Sequence, residues 1–237
     1  MNYSISYFCD QGTPLKPNQD RVLANREIIR DGIRHIQSVE KAVCIVADGI
    51  GSLENSDKAA QFILEKIALL GLEPTPELLL EILATENEKL VNLNQNDPEY
   101  YHSGTTLCGI VLNDTEAFTL NVGDSEVLLL REGILSLITD HQVLDDAKPN
   151  SPITSFIGTS QAGMEPVIGD RYTRYRSGDL LIVTTDGLRK VFSNKELTEL
   201  LETPEALAIR AEKIYKLLKS NAAPDNLGVI LIQGEEE

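Results

Sequence analysis

Leu181-Ile182-Val183-Thr184-Thr185-Asp186-Gly187 decides the reading of this chain: an apolar, strand-like run meets a turn at an aspartate. The same device stands at Val43-Cys44-Ile45-Val46-Ala47-Asp48-Gly49. It recurs in reverse order where Asp225-Asn226 precedes Gly228-Val229-Ile230-Leu231-Ile232. Asp-Gly and Asp-Asn are common turn pairs, so turn chemistry alone explains any one of the three. Three together are different. Carboxylates that converge on one point repel one another, and a chain that places them at the ends of core strands neutralises them with bound cations. Ligands that are all oxygen select magnesium or manganese over zinc or copper.

Outward from these runs, the elements alternate in kind. Residues 3 to 48 read as short strands broken by Pro14, Pro17, Asp31 and Gly32, the pattern of a β-meander. After Gly51 the period becomes helical. Asn55 or Ser56 can cap a helix carrying Ala59, Ile63, Ile67 and Leu70 on one face, with Gly71 to close it. Thr75-Pro76-Glu77 opens a second helix with Leu79, Ile82, Leu83, Leu90 and Leu93 along its stripe, which is ordinary core packing. From Thr105 to Leu137 the pattern is a run of antiparallel hairpins, with turns at Asn113-Asp114 and Glu132-Gly133. Ser193-Asn194-Lys195-Glu196 is a capping box for a third helix, and Thr203-Pro204-Glu205 starts a fourth that ends near Ser220. The last strand, from Gly228 to Ile232, is fully apolar and therefore central. Helices segregated from antiparallel strands define an α+β protein in which two sheets pack face to face with helix pairs outside.

Composition bounds the function. At 237 residues the chain suits one large domain with a well-buried core, and no linker divides it, so residues 1–237 are expected to form a single domain. A formal charge of -16 repels phosphate backbones, which excludes a general nucleic-acid binder. Cys9, Cys44 and Cys108 have no CxxC spacing and cannot all pair within the chain, in keeping with a reducing cytosol. Met1-Asn2-Tyr3-Ser4-Ile5-Ser6-Tyr7 has no basic region followed by an apolar stretch, and no apolar run reaches membrane-spanning length. The expectation is a soluble, cytoplasmic monomer with no membrane contact.

Seven segments, in this order, resemble the metal-dependent serine/threonine protein phosphatases of the PP2C type, also called PPM. They are Asn18-Gln19-Asp20; Val46-Ala47-Asp48-Gly49-Ile50-Gly51; Ser103-Gly104-Thr105-Thr106; Asn121-Val122-Gly123-Asp124-Ser125; Leu137-Ile138-Thr139-Asp140-His141; Gly178 to Leu188; and Asp225-Asn226. The resemblance runs from Asn18 to Ile232. It implies an αββα sandwich of two antiparallel sheets flanked by antiparallel helix pairs, which the element order suggests independently. It also implies two manganese or magnesium ions bridged by Asp48, one of them bound by the Gly49 carbonyl and the other held by Asp186 and Asp225. Asp20 would stand in or just behind that shell, and Asp124 would help hold a third, looser ion. The implied reaction is hydrolysis of protein phosphoserine or phosphothreonine by a metal-activated water, opposing a serine/threonine kinase. No protein nucleophile is needed. Ser125 is read as structural, with no spacing that links it to His102 or His141. His35, His102 and His141 show no zinc-ligand spacing. The expectation from one compact catalytic domain is a bacterial and not a eukaryotic source.

The departures from the family pattern are specific. Leu15 stands where an arginine commonly binds the substrate phosphate; Lys16 beside it offers a point charge without the guanidinium fork. Ser52-Leu53 replaces a glycine and a histidine, Glu126 replaces an arginine after Gly-Asp-Ser, and Ser155 replaces another. The stretch from His141 to Thr154 is short, so the flap beside the site is expected to be trimmed and the site open. These changes define an alternative: a pseudophosphatase that uses the fold as a binding or regulatory module with little turnover. The full set of Asp20, Asp48, Asp124, Asp186 and Asp225 weighs against it, because uncompensated carboxylates are costly to keep together.

Overall fold

The computed structural model describes residues 1–13, 17–113, 117–146, 148, 151–169 and 176–235. Leu15, Lys16 and Asp114 lie outside the described residues. Twelve strands form two six-stranded antiparallel sheets among the described residues. One sheet contains β1 (Tyr3–Asp10), β4 (Gly32–Val39), β8 (Glu126–Arg131), β9 (Ile134–Leu137), β11 (Leu180–Thr184) and β12 (Leu227–Gly234), in the order β4-β1-β12-β11-β8-β9. The other contains β2 (Arg21–Ala24), β3 (Glu27–Ile29), β5 (Ala42–Ala47), β6 (Leu107–Leu112), β7 (Ala117–Val122) and β10 (Val167–Gly169), in the order β10-β7-β6-β5-β2-β3.

Side chains alternate across each strand, and their packing partners follow that period. Tyr7, Val46, Cys108, Val127, Val183 and Ile230 meet between the sheets in one core. Their neighbours Val43, Ile45, Leu107 and Val111 face outward onto α1 (Ser56–Ala68) and α2 (Pro76–Asn96). On the far side Leu128, Leu180, Ile182, Val229 and Leu231 pack against α3 (Gly187–Val191), α4 (Asn194–Leu201) and α5 (Leu207–Ser220). Both faces of the central strands are therefore covered, which is why they read as unbroken apolar runs. The four layers are helices, sheet, sheet, helices, as the sequence implies. Among the described residues no helix is long and apolar enough to cross a membrane. All three cysteines are buried and free.

Asn55 stands at the start of α1 without a side-chain cap hydrogen bond, whereas the caps of α2 and α4 form as expected. Thr75 caps α2 by accepting from Leu78 N at 3.3 Å, and Ser193 and Glu196 close the capping box of α4. Three further expectations change. The meander over residues 3 to 48 is split between the sheets, because β1 pairs with β4 and β12 whereas β2 pairs with β3 and β5. The hairpin run from Thr105 is also split, since β7 and β8 lie in different sheets and the chain crosses between them at Gly123-Asp124-Ser125. The last long helix begins at Leu207, not at Thr203, whose hydroxyl is bonded to the Glu205 carboxylate instead.

Candidate metal centre

The two sheets deliver their aspartates to one end of the sandwich. Asp48 leaves β5 and Asp20 enters β2; Asp186 leaves β11 and Asp225 lies two residues ahead of β12; Asp124 sits on the crossing between the sheets. Asp48, Gly49, Asp124, Asp186 and Asp225 line one cleft of about 520 Å³, together with Ser52, Thr106, Asn226 and Lys190. Asp20 lies beneath it, only 1% exposed.

Backbone pairing fixes these positions. The Asp48 carbonyl accepts from Thr106 N at 2.8 Å and from the Thr105 hydroxyl at 3.0 Å, while Asp48 N donates to Thr106 Oγ1 at 3.2 Å. Gly49 forms a bridge with Thr105, and a Cβ there would lie 2.8 Å from Gln19 Cβ and 2.9 Å from the Ser56 carbonyl carbon, so only glycine fits. Asp20 Oδ2 accepts from the Thr185 hydroxyl at 2.8 Å, and that hydroxyl accepts from Gly228 N at 2.9 Å. One threonine thus ties the buried carboxylate of one sheet to two strands of the other. Asn226 adds a second tie, accepting from Gln19 N at 2.9 Å and donating to the Gln11 carbonyl at 2.7 Å. A Cβ on Gly187 would lie 2.1 Å from the Asn226 carbonyl oxygen. Glycine there lets the turn after Asp186 pass directly against the loop that carries Asp225.

The electrostatics are those of a site short of positive charge. Burial first, then the charges of Asp20 and Asp186, push the Asp48 carboxyl well above its ordinary range. Asp20 is pushed up to about 7, by burial and by the charges of Asp186 and Asp225, against the pull of the Thr185 hydroxyl. Asp124 rises to about 6 through burial and the Asp186 charge, and Asp186 also rises through burial, with Lys190 opposing. Among the described residues Lys190 is the only cationic side chain lining the cleft. Its ammonium lies 2.5 Å from Asp186 Oδ2 and also contacts Asp225 Oδ2.

This pairing bears on how a metal would fit. Among the described residues no three carboxylate, histidine or cysteine side chains converge as they would around an ion, and Asp186 and Asp225 are turned onto the lysine instead. The donor chemistry nonetheless fits a hard divalent cation: the cleft offers oxygens, no sulfur, and carboxylates whose raised pKa values record uncompensated charge. Side-chain rotation alters the convergence of these carboxylates, whereas their shortage of positive charge follows from where the backbone places them.

The remaining sequence-singled residues sort cleanly. Ser125 is buried with its hydroxyl 2.9 Å from Thr106 Oγ1. Both ring nitrogens of His141 face carboxylates, Nε2 at 3.0 Å from Glu126 and Nδ1 at 2.8 Å from Asp146, so neither serves Ser125 as a base. Those hydrogen bonds, Glu126 foremost, raise His141 to about 9 against its burial. Ser155 accepts from Glu165 N at 2.8 Å, a structural role. Leu53 bonds through its carbonyl to Gln19 Nε2 at 3.2 Å. The short segment after His141 still reaches the cleft, where Ser151 and Ile153 line it, so the site is less open than its length suggests. Lys190 was missed from the sequence, although its place four residues after Asp186 at a helix start was a readable signal.

An αββα sandwich with an aspartate cleft at one end of its sheets defines the class, and comparison with known proteins agrees. The chain belongs to the protein phosphatase 2C family, whose model, described as "Protein phosphatase 2C", matches residues 17–231. It is 25% identical over 252 aligned positions to a putative protein phosphatase 2C-type of Streptococcus pyogenes serotype M6, covering 98% of each chain. The serine/threonine phosphatase of S. agalactiae superimposes with a TM-score of 0.82 at 24% identity, over 98% of this chain and 100% of that one. The catalytic domain of the serine/threonine protein phosphatase PstP, in complex with two manganese ions, superimposes with a TM-score of 0.73 at 24% identity, covering 98% of both chains.

Proposed function

We propose that this chain is a metal-dependent protein phosphatase that hydrolyses phosphoserine and phosphothreonine in proteins, with residues 1–237 acting as one catalytic domain. The observation that carries the reading is the gathering of Asp48, Asp124, Asp186 and Asp225 from two sheets around one cleft over buried Asp20. Asp48, the Gly49 carbonyl, Asp186 and Asp225 would hold two manganese or magnesium ions, with Asp20 behind them and Asp124 toward a third. Such ions supply an activated water and positive charge opposite the phosphoryl oxygens. The chain's own part is positional: Thr105 and Thr106 hold the Asp48 backbone, and Thr185 holds the Asp20 carboxylate, while Asp186 and Asp225 must turn from Lys190 to meet an ion. Lys16 is the proposed phosphate-binding cation at the position adjoining Leu15.

The partner is a phosphoprotein opposite a serine/threonine kinase in the cytoplasm, met by a monomer. The charge of -16 disfavours nucleic acid. The pseudophosphatase reading has one observation on its side, the lysine already seated on Asp186 and Asp225. Hydrolysis of an aryl phosphate and of a phosphothreonine peptide, with manganese, with magnesium and with a chelator, decides between them. Turnover that appears with metal and vanishes with chelator is expected. No turnover with manganese demonstrably bound would overturn the enzyme reading in favour of the binding module.

A further inference from the structure

We infer that Lys190 is a built-in counter-ion of the metal centre, holding Asp186 and Asp225 when no ion is bound and competing with a divalent cation for the same oxygens. The inference rests on the metal-centre reading above and concerns a residue to which that reading gives no role.

The geometry is specific. Lys190 lies one helical turn after Asp186 on α3, and its single ammonium meets Oδ2 of Asp186 at 2.5 Å and Oδ2 of Asp225 from across the sheet end. A cation bound to both carboxylates would need those oxygens, and an ammonium with three donors occupies them by hydrogen bonds of its own. Because it is tethered, it competes at an effective concentration on the order of millimolar whatever the metal concentration. The side chains of Lys190, Asp186 and Asp225 are 32%, 32% and 40% exposed, so the ammonium can swing to solvent without the fold opening. Exchange is therefore a side-chain event. Without the lysine, Asp186 and Asp225 would face each other and the charge of Asp48 uncompensated until a metal arrived.

The device sets a threshold: this centre loads only where the free cation outcompetes its own lysine. It also keeps the empty protein folded, because the charge missing from the empty centre is supplied in part from within the chain.

Manganese binding by calorimetry, with thermal unfolding in chelator and in manganese, tests this on the whole chain. Lys190→Met keeps the chain length and apolar stem and removes the ammonium; Lys190→Arg keeps the charge. Arg189→Met removes an equal charge one residue away, where the guanidinium lies 3.6 Å from Glu126 instead. Lys190→Met is expected to bind manganese at least tenfold more tightly than the unaltered chain, to melt lower in chelator, and to gain more from manganese. Lys190→Arg and Arg189→Met are expected to stay within about threefold of the unaltered affinity. Unchanged or weaker binding by Lys190→Met overturns the inference, as does an equal gain in Arg189→Met, which would make the effect one of general charge. If neither the unaltered chain nor Lys190→Met binds manganese, the metal-centre reading falls as well, so the two failures are distinguishable.

Discussion

Asp20→Asn should stabilise the metal-free protein, and should do so increasingly as the pH rises from 3.8 to about 7. Asp20 is 1% exposed and its carboxyl is pushed up to about 7 from 3.8, by burial first and by Asp186 and Asp225 next. A carboxyl with a raised folded pKa binds its proton more tightly in the folded state than in the unfolded one. Its penalty is therefore absent below pH 3.8, grows as the pH rises, and is complete above about 7. The rise from 3.8 to about 7, at ~1.4 kcal/mol per tenfold change in proton affinity, is on the order of 4 kcal/mol. Asp48 lies within hydrogen-bonding reach and shares the proton, so the quantity belongs to the pair and an observed effect of about 2 to 4 kcal/mol is expected. Asparagine is neutral at every pH and can still accept from the Thr185 hydroxyl that meets Asp20 Oδ2 at 2.8 Å. Urea unfolding in chelator at pH 5 and pH 8 measures the difference between the variant and the unaltered chain, which cancels the titrating groups that do not interact with Asp20. A gain at pH 8 that shrinks toward pH 5 is the expected result. An equal gain at both, or a loss at pH 8, would refute the claim that this carboxylate is buried without enough compensating charge.

Three further outcomes are expected. Asp48→Asn and Asp186→Asn should each abolish manganese-dependent hydrolysis of an aryl phosphate while leaving the far-ultraviolet circular dichroism unchanged; retained turnover in both would remove the metal chemistry from these residues. Gly187→Ala places a methyl 2.1 Å from the Asn226 carbonyl oxygen. The turn must then move away from Asp225, so a loss of about 1 to 3 kcal/mol and weaker manganese binding are expected by calorimetry and urea unfolding. Leu15→Arg adds a guanidinium where the chain has none, and should lower KM for a phosphothreonine peptide more than it raises kcat, because it adds phosphate binding and not new chemistry. Unchanged steady-state constants would mean that another cation already meets the phosphate.

What was legible in the sequence was what adjacent residues determine. Leu181 to Gly187 and Val43 to Gly49 announced strands that end in a turn at an aspartate, and β11 and β5 end just ahead of Asp186 and Asp48. The capping box at Ser193 and the cap and proline at Thr75-Pro76 marked helix starts to the residue, because a cap is a hydrogen bond over three positions. Sheet membership was not legible. Tyr7 of β1 and Val22 of β2 sit in the same core facing each other from opposite sheets, and a strand covered on both faces carries no alternation to say which sheet it joins. That choice is made by pairing with β12, more than two hundred residues later in the chain for Tyr3 and Gly234.

The same division explains why the aspartates were found and Lys190 was not. Each aspartate is flagged by its own strand and turn, whereas the lysine has meaning only through two partners. Asp186, four residues back, was within reach of sequence reasoning; Asp225, 35 positions on, was not. Had only Asp186 been in contact, the pair would be an ordinary helical ion pair of ~0.3 to 0.5 kcal/mol, screened by salt and without consequence for the centre. Contact with Asp225 changes its nature, because the ammonium then joins the carboxylates of two strands in the way a shared cation would. The departures of this chain from its family are thus not all losses: besides the leucine at position 15, the sequence carries Lys190, whose ammonium joins Asp186 and Asp225, the proposed metal ligands. The balance between that cation and a divalent ion governs when the centre is loaded.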